Sequence, residues 1–467
     1  MNNFAKKQKV LILFSDAQYI RNYGESGNLE RLLDIFELHI AVKADLQTDL
    51  QNIAINLEDK GAIIYAYTPY SRECTKLHQQ LFDALMWIER MKSISFRYRI
   101  MRGIIADVCS QCFIGKYNSL TSNDVIKEFD SKVPVNRQLI DLVKQVNAKY
   151  VIIPSAAYEA EANDIIRSFP PTGSTKVVLA VDNWDNLSSK TLLPWKPAAI
   201  TCLGPQSAEH AIRIHSIDNA CVFPIGTPRF DVYTRDSHTD DCRSIYTRQT
   251  LHYILYLGGS LQHAELDYLS IANDAVRYLN TKLGADIAIV YKPHPAKPCQ
   301  SERDLARIVQ LENVKFDKNS LPSYAASIPY YPRRALPGMF PELSGYQGLI
   351  SKSLFVISGL STMILEALIC GREVVLPLIE EPGNLTSNAK AFKAYEHFRG
   401  LDSLEGVTIA STRDNLYRKI ISMAAKDALC SQPITKGKSN FNGLHYYVYF
   451  DSRLWADRLC EILKRIE

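Results

Sequence analysis

The stretch "IAIVYKPHPAKP", residues 287–298, decides the reading of the fold. Its apolar run stops at a basic pair bounded by prolines, and proline cannot continue a strand ladder. The segment therefore reads as a buried strand that delivers Lys292 and His294 into a rigid loop at its carboxyl edge. In open α/β sheets ligands bind outside that edge, near the point where strand order reverses.

The rest of the chain repeats the pattern. "KVLILFS" (9–15), "ELHIAV" (37–42), "GAIIYAY" (61–67), "KYVIIPS" (149–155), "KVVLAV" (176–181), "AAITCLG" (198–204) and "ACVFPIG" (220–226) are short apolar runs separated by polar stretches, most of them long enough for helices. That alternation marks a parallel sheet with crossover helices. Residues 71–115 interrupt it as a mostly helical insert, taken to extend to about residue 130. The polar segment "TRDSHTDDCRSIYTRQ" (234–249) reads as a linker, after which "HYILYLGGS", "IAIVYK", "VKFD", "SLFVISG", "EVVLPL" and "GVTIAST" supply a second strand series. The expected organisation is thus an N-terminal doubly wound domain over 1–233, a linker over 234–249, a second doubly wound domain over 250–440, and a C-terminal helical segment over 441–467. Two such domains in series are expected to face each other across a cleft.

Composition agrees with two cores. The chain has 467 residues and is 46% apolar, whereas single cores stop growing near ~250–300 residues. Its 54 basic and 50 acidic residues leave a formal charge of +4, too weak to suggest bulk nucleic-acid binding. Ten cysteines are scattered through apolar runs rather than spaced as a disulfide framework. The pair Cys109 and Cys112 lacks the second pair or the histidines that a zinc site needs, so it reads as core. The N-terminal apolar run is too short for a signal-peptide core, and no window approaches ~18 uninterrupted apolar residues. The expected location is the cytoplasm, or at most the surface of a membrane.

Within the second half, "LFVISGLSTMILEALICG" is a strand ending at Ser358, a turn at Gly359, and a helix opened by Ser361 and Thr362. Free amides at a helix start favour an anion, and two hydroxyls add donors. "LGGSLQ" (257–262) supplies another strand-to-helix turn, with Gly258, Gly259 and Ser260. With Lys292 and His294 these turns can surround a diphosphate, His294 stabilising charge on a departing nucleotide. Each has a plainer reading: N-caps for the hydroxyls, a carbonyl-bonded loop histidine, and a solvated lysine.

"YKPHP" (291–295) followed by "SGLST" (358–362) resembles the HP and Ser/Thr motifs of bacterial GT-B glycosyltransferases that use cytidine nucleotides, such as sialyl-, polysialyl- and Kdo-transferases. It is also similar to CDP-glycerol glycerophosphotransferases of teichoic acid synthesis. "VDNWDNLSSK" (181–190) and "AITCLGPQSAEHAIRIHSIDNACVFPIGTPRFD" (199–231) resemble a group of surface-carbohydrate proteins described as glycosyltransferases. The resemblance implies a GT-B fold in which His294 contacts the donor phosphate, Ser358, Ser361 and Thr362 add hydroxyls, and Glu366 binds the ribose. Glu366 reads equally as a helix-surface carboxylate. It further implies a CMP-sugar donor, a glycan or lipid-linked glycan acceptor, and a place in O-antigen or capsule synthesis.

The first half should then hold the acceptor and a base. "VDNWDN" carries Asp182 and Asp185 to a strand's carboxyl edge with Trp184 between them as a sugar-stacking surface, and an inverting transfer needs such a carboxylate. The family places an acidic residue before glycine in this region, whereas this chain has D-N-W-D; the residues equally start a turn. The turn "FSDAQYIRNYGESGN" (14–28) adds Asp16 as a second candidate base and Arg21 and Asn22 as an acceptor grip, or else caps the next helix. No motif demands a metal or other cofactor. The Pro- and Tyr-rich 323–348 reads as a lid or recognition loop, and "MKSISFRYRIMRG" (91–103) reads as an interfacial helix or as a core helix with a basic face. The rival functions are a CDP-glycerol-type phosphotransferase, a nucleotide-sugar epimerase, and a non-catalytic carbohydrate-binding partner.

Overall fold

The computed structural model describes residues 7–47, 57–106, 117, 119–155, 159–234, 252–259, 264–294, 302–317, 343–384, 387–428 and 441–467. Expectations on Cys109, Cys112, nearly all of the 234–249 linker, Ser260, Pro295 and most of 323–348 lie outside these residues. By their internal contacts the described residues form two units. One comprises the chain up to Asp231 with 394–397 and 445–467; the other comprises 232–393 and 398–444.

The first unit holds a seven-stranded sheet of β1 (Lys9–Phe14), β2 (Glu37–Lys43), β3 (Ile63–Tyr67), β4 (Tyr150–Ser155), β5 (Lys176–Val181), β6 (Ala199–Cys202) and β7 (Val222–Pro224). Their spatial order is β3-β2-β1-β4-β5-β6-β7, and every pairing is parallel. The second unit holds β8 (His252–Leu257), β9 (Ile287–Lys292), β10 (Val314–Phe316), β11 (Val356–Ser358), β12 (Val374–Pro377) and β13 (Val407–Ala410), in the order β10-β9-β8-β11-β12-β13, again all parallel. Each strand read from the sequence is present. The central strands are buried on both faces, which is why their sequences are continuous apolar runs rather than alternating ones.

Helices begin and end where local chemistry directs. Thr121 and Asp124 form a reciprocal capping box ahead of Ser122–Lys132, and Gly284 in the left-handed region ends Glu265–Leu283. The segment after β1, read as a flexible turn, is instead the helix Ala17–Gly24 followed by Asn28–Ile35. Asp16 accepts from the Gln18 amide at 2.9 Å and starts the first helix, while Gly27 at φ 73° separates it from the second.

The insert is built from the helices Arg72–Ile88, Ile94–Ala106 and Ser122–Lys132, with its own apolar cluster around Phe82, Phe96 and Phe129. The C-terminal helix, Trp455–Arg465, packs Trp455 and Leu459 into the core of the first sheet. Its Arg458 is 2% exposed and pairs with Asp231 at 2.9 Å. Among the described residues no helix is long and apolar enough to cross a membrane.

Candidate functional site

In the second unit β8 lies between β9 and β11, and strand order reverses between β8 and β11. The register sets Leu257 level with both Lys292 and Ser358. With neighbouring strands about 4.8 Å apart, the turns at Gly258–Gly259, Pro293–His294 and Gly359–Thr362 leave the same sheet edge side by side.

Gly258 makes this crowding feasible. Its amide donates to the Lys292 carbonyl at 2.8 Å. A Cβ at this position would stand 2.5 Å from Glu265 Oε1, 2.8 Å from the His294 amide nitrogen and 3.1 Å from Pro293 Cα. The Glu265 carboxylate accepts from the Tyr291 hydroxyl at 2.6 Å and, more weakly, from the Gly259 amide at 3.4 Å. It thereby braces the glycine turn against the strand that carries His294. His294 itself is half-buried.

The hydroxyls at the third turn have distinct fates. Ser358 is 1% exposed and donates to the adjacent Gly359 carbonyl at 2.8 Å. Thr362 stands at the start of Met363–Ile369, and no side chain caps that helix. The Ser361 Oγ is buried without a hydrogen-bond partner. The plain capping reading of these residues is therefore not realised, and one buried donor remains available to a ligand.

Two expectations need correction here. Lys292 is 5% exposed, lies 3.3 Å from the Asp317 carboxylate and 4.4 Å from the Tyr346 ring centroid. Its charge is compensated inside the protein, so it is neither a solvated surface lysine nor a cation held open for phosphate. Glu366 is 4% exposed and accepts from the Tyr233 hydroxyl at 2.6 Å, so it is not a surface carboxylate either.

The first unit has its own reversal between β1 and β4, and its carboxyl edge is acidic. Asp182 is 1% exposed and accepts from Asn22 Nδ2 at 2.7 Å, from Gln18 Nε2 at 3.3 Å and from Thr227. Arg21 donates to Asn22 Oδ1 at 2.8 Å and is itself buried. The two residues expected to grip an acceptor are thus joined to each other and to a candidate base, while Asp16 is the helix cap.

Asp185 pairs with Lys190 at 3.0 Å. Burial alone would raise its carboxyl, but Lys190, His397 and Arg99 hold it below the usual range, which makes it a weak base. The stacking role expected of Trp184 is corrected: it is 2% exposed, donates its indole N–H to Gln206 at 2.8 Å and meets His397 edge-on at 5.4 Å. Burial pushes His397 down to about 4, despite the Asp185 charge.

Sequence reading missed the polar network over the β1 and β4 ends. Ser155 Oγ donates to Glu159 at 2.7 Å and receives from Asn186 Nδ2 at 3.0 Å, and the Tyr19 hydroxyl donates to the other Glu159 oxygen. Burial, then Glu159, raise the Tyr19 hydroxyl well above its ordinary value, so it stays protonated. Ser15 Oγ and Asn186 Oδ1 are buried without partners. Asn186–Lys190 is a turn of π-helix, a distortion frequent at functional sites. Only Ser155, at the end of a readable strand, had a signal in the sequence; the others gather because β4 lies beside β1. Among the described residues no group of three or more His, Cys, Asp or Glu is placed to hold a metal.

No protein-family model matches the chain, and no curated protein sequence matches it. Solved structures do. A UDP-N-acetylglucosamine 2-epimerase is similar with a TM-score of 0.54 at 12% identity, over 98% of this chain and 95% of that one. The Neisseria meningitidis UDP-GlcNAc 2-epimerase bound to UDP-GlcNAc gives 0.51 at 12% identity, over 98% and 100%. The S. aureus protein MnaA with UDP gives 0.51 at 11%, over 98% and 96%. At such identities the likeness shows the fold: two Rossmann-like parallel sheets of the GT-B type.

Proposed function

We propose that this chain is a nucleotide-sugar enzyme whose second unit binds the nucleotide's phosphates at the carboxyl edge of β9, β8 and β11. The observation that carries the reading is Ser361 Oγ, a buried hydroxyl left unpaired at a strand-order reversal, beside a glycine turn that admits the His294 backbone at close range. His294, Ser361, Thr362 and the Gly258–Gly259 turn are its phosphate contacts. The carboxylates at the first unit's own sheet edge, Glu159 and Asp182 foremost, are the chain's candidate proton-transfer groups.

Epimerisation ranks ahead of sugar transfer, because two of the structural neighbours named above are UDP-N-acetylglucosamine 2-epimerases and one of these holds UDP-GlcNAc. The motif resemblance of "YKPHP" and "SGLST" favours transfer from a cytidine nucleotide. Inverting a carbon that bears hydrogen breaks that C–H bond and reforms it on the opposite face, with no second substrate.

Incubating the protein with UDP-GlcNAc in deuterated water tests both. The expected result is an epimer carrying deuterium at the inverted carbon, formed without any acceptor. Turnover only after an acceptor glycan is added, with UDP released from UDP-GlcNAc or CMP from a CMP-sugar supplied in its place, replaces the epimerase reading by the transferase one. A thermal-shift series with UDP, CDP, CMP and GDP tests the nucleotide site separately; at a hundredfold excess over Kd a ligand adds about 2.7 kcal/mol. The absence of any nucleotide-dependent shift would remove the phosphate assignment altogether.

A further inference from the structure

A basic and apolar segment of the first unit contributes none of the phosphate contacts proposed above. Residues 90–102, "RMKSISFRYRIMR", carry Arg90, Lys92, Arg97, Arg99 and Arg102 and no acidic residue. The segment spans the turn after Arg72–Ile88 and most of the helix Ile94–Ala106. Met91 is 89% exposed, Ile94 52% and Met101 43%. Single apolar side chains on a surface are normal, but three of the ten large ones exposed among the described residues fall within these thirteen positions.

Helical spacing puts Ile94 and Met101 on one face, with Met91 in the turn just ahead of them. Ile94 and Met101 are seven residues apart, and the exposed Arg97 stands three from one and four from the other. The opposite side is committed: Ser95 and Phe96 are fully buried, Phe96 within the apolar cluster of the insert. The helix cannot rotate to hide its methionine and isoleucine without expelling that phenylalanine.

Several cations anchor the segment. Arg90 donates to the Trp87 carbonyl at 2.7 Å, Lys92 lies 3.1 Å from Glu89, and Arg102 donates to the Tyr395 hydroxyl at 2.7 Å. Arg97 instead stands in the middle of the apolar face, and Lys92 is exposed at its edge beside Met91.

The geometry points to Met91, Ile94, Arg97 and Met101, with Lys92 at the margin, as a docking surface for an anionic lipid bilayer. Flexible apolar side chains that surround a cation insert at the boundary between headgroups and acyl chains, while the cation meets lipid phosphate. The attraction must be local, because the whole chain carries only +4. A lipid surface needs no shape complementarity, and the exposed cations of this face, Arg97 and Lys92, match the phosphate of an anionic headgroup.

The test is cosedimentation of the full chain with vesicles of equal parts phosphatidylglycerol and phosphatidylcholine, against phosphatidylcholine alone. Binding is expected on the anionic vesicles at about 0.1 M salt and not at about 1 M, where the Debye length falls from about 10 to about 3 Å. Met91→Ser, Ile94→Ser and Met101→Ser together should weaken it about tenfold or more, and Lys92→Gln with Arg97→Gln about fivefold per charge. The melting temperature should be unchanged in both. If the triple variant fails to fold, Met91→Ser alone carries the test, since a side chain this exposed supports no core.

No binding to anionic vesicles, or equal binding by the variants, overturns the proposal. So does a dimer of the wild-type chain that the triple variant abolishes, which would make a second copy the occupant. None of these results depends on the nucleotide-sugar reading.

Discussion

Six of the seven strands in the first sheet correspond one for one to the six of the second. β1, β2, β3, β4, β5 and β6 of the first occupy the places of β8, β9, β10, β11, β12 and β13 in the second. Equivalent strand ends carry equivalent groups. Lys43 closes β2 in a buried pair with Glu161 at 2.9 Å, as Lys292 closes β9 with Asp317 at 3.3 Å. Ser155 ends β4, as Ser358 ends β11.

Beyond those shared positions the edges diverge. After β1 come Ser15 and Asp16, and near β4 and β5 stand Glu159 and Asp182. After β8 come two glycines, after β9 a histidine between prolines, and after β11 Ser361 and Thr362. The first edge is acidic and largely bonded within itself. Each leaves a buried serine hydroxyl unspent, Ser15 in the first and Ser361 in the second, but only the second sets it beside a glycine turn, where an anion is favoured. One scaffold therefore presents two chemistries, because the sheet dictates where strand ends meet and the following few residues dictate what stands there.

Acid should strain the comparison most. Burial lowers His215 to about 3 and His397 to about 4, and both belong to the first unit. A histidine depressed in the fold leaves the unfolded chain binding more protons below its own pKa of about 6.5. Stability is thus intact above about 6.5 and falls as pH drops towards the folded values, by up to about 1.4 kcal/mol per pH unit for each histidine. Unfolding followed between pH 7 and about 4.5 should show the first unit yielding before the second; simultaneous loss would contradict the difference drawn between them.

Next come the paired lysines. Lys43→Met and Lys292→Met each leave a buried carboxylate unmatched and should each cost about 3–5 kcal/mol in denaturant unfolding. If Lys292→Met keeps its stability but loses nucleotide binding, the equivalence fails and Lys292 is a phosphate ligand after all.

Gly258→Val should cost about 2 kcal/mol of nucleotide binding, roughly thirtyfold in Kd, because its Cβ meets the His294 and Pro293 backbone, which cannot swing aside as the Glu265 side chain can. Unaltered affinity would show that the two turns need not touch for the site to work. Smallest is the contrast between serines: Ser361→Ala should weaken nucleotide binding by about 1 kcal/mol, roughly fivefold, and Ser358→Ala should leave it unchanged, its hydroxyl already serving Gly359. Calorimetric titration of both variants reads the difference.

Much of this architecture was legible in the chain. Thirteen largely apolar runs announced thirteen strands, most plainly for the central ones, because strands buried on both faces must be apolar throughout. The strand ends that carry His294, Ser358 and Asp182 were legible for the same reason. Glu159, Tyr19 and Asn186 were not, since they meet only through the adjacency of β1 and β4, which lie far apart in sequence. Trp184 was misjudged because an aromatic beside carboxylates reads alike in a sugar site and in a core; only its burial against His397 and Tyr447 separates them.

The amino-acid order by itself determined two parallel α/β sheets and the residues standing at their strand ends, since backbone hydrogen bonding and apolar burial act through local pattern. Tertiary structure alone decided which ends are neighbours, which charges are already neutralised, as at Lys292 and Asp317, and which hydroxyl is unspent, as at Ser361. Those outcomes depend on distances between remote segments, and no local pattern encodes them.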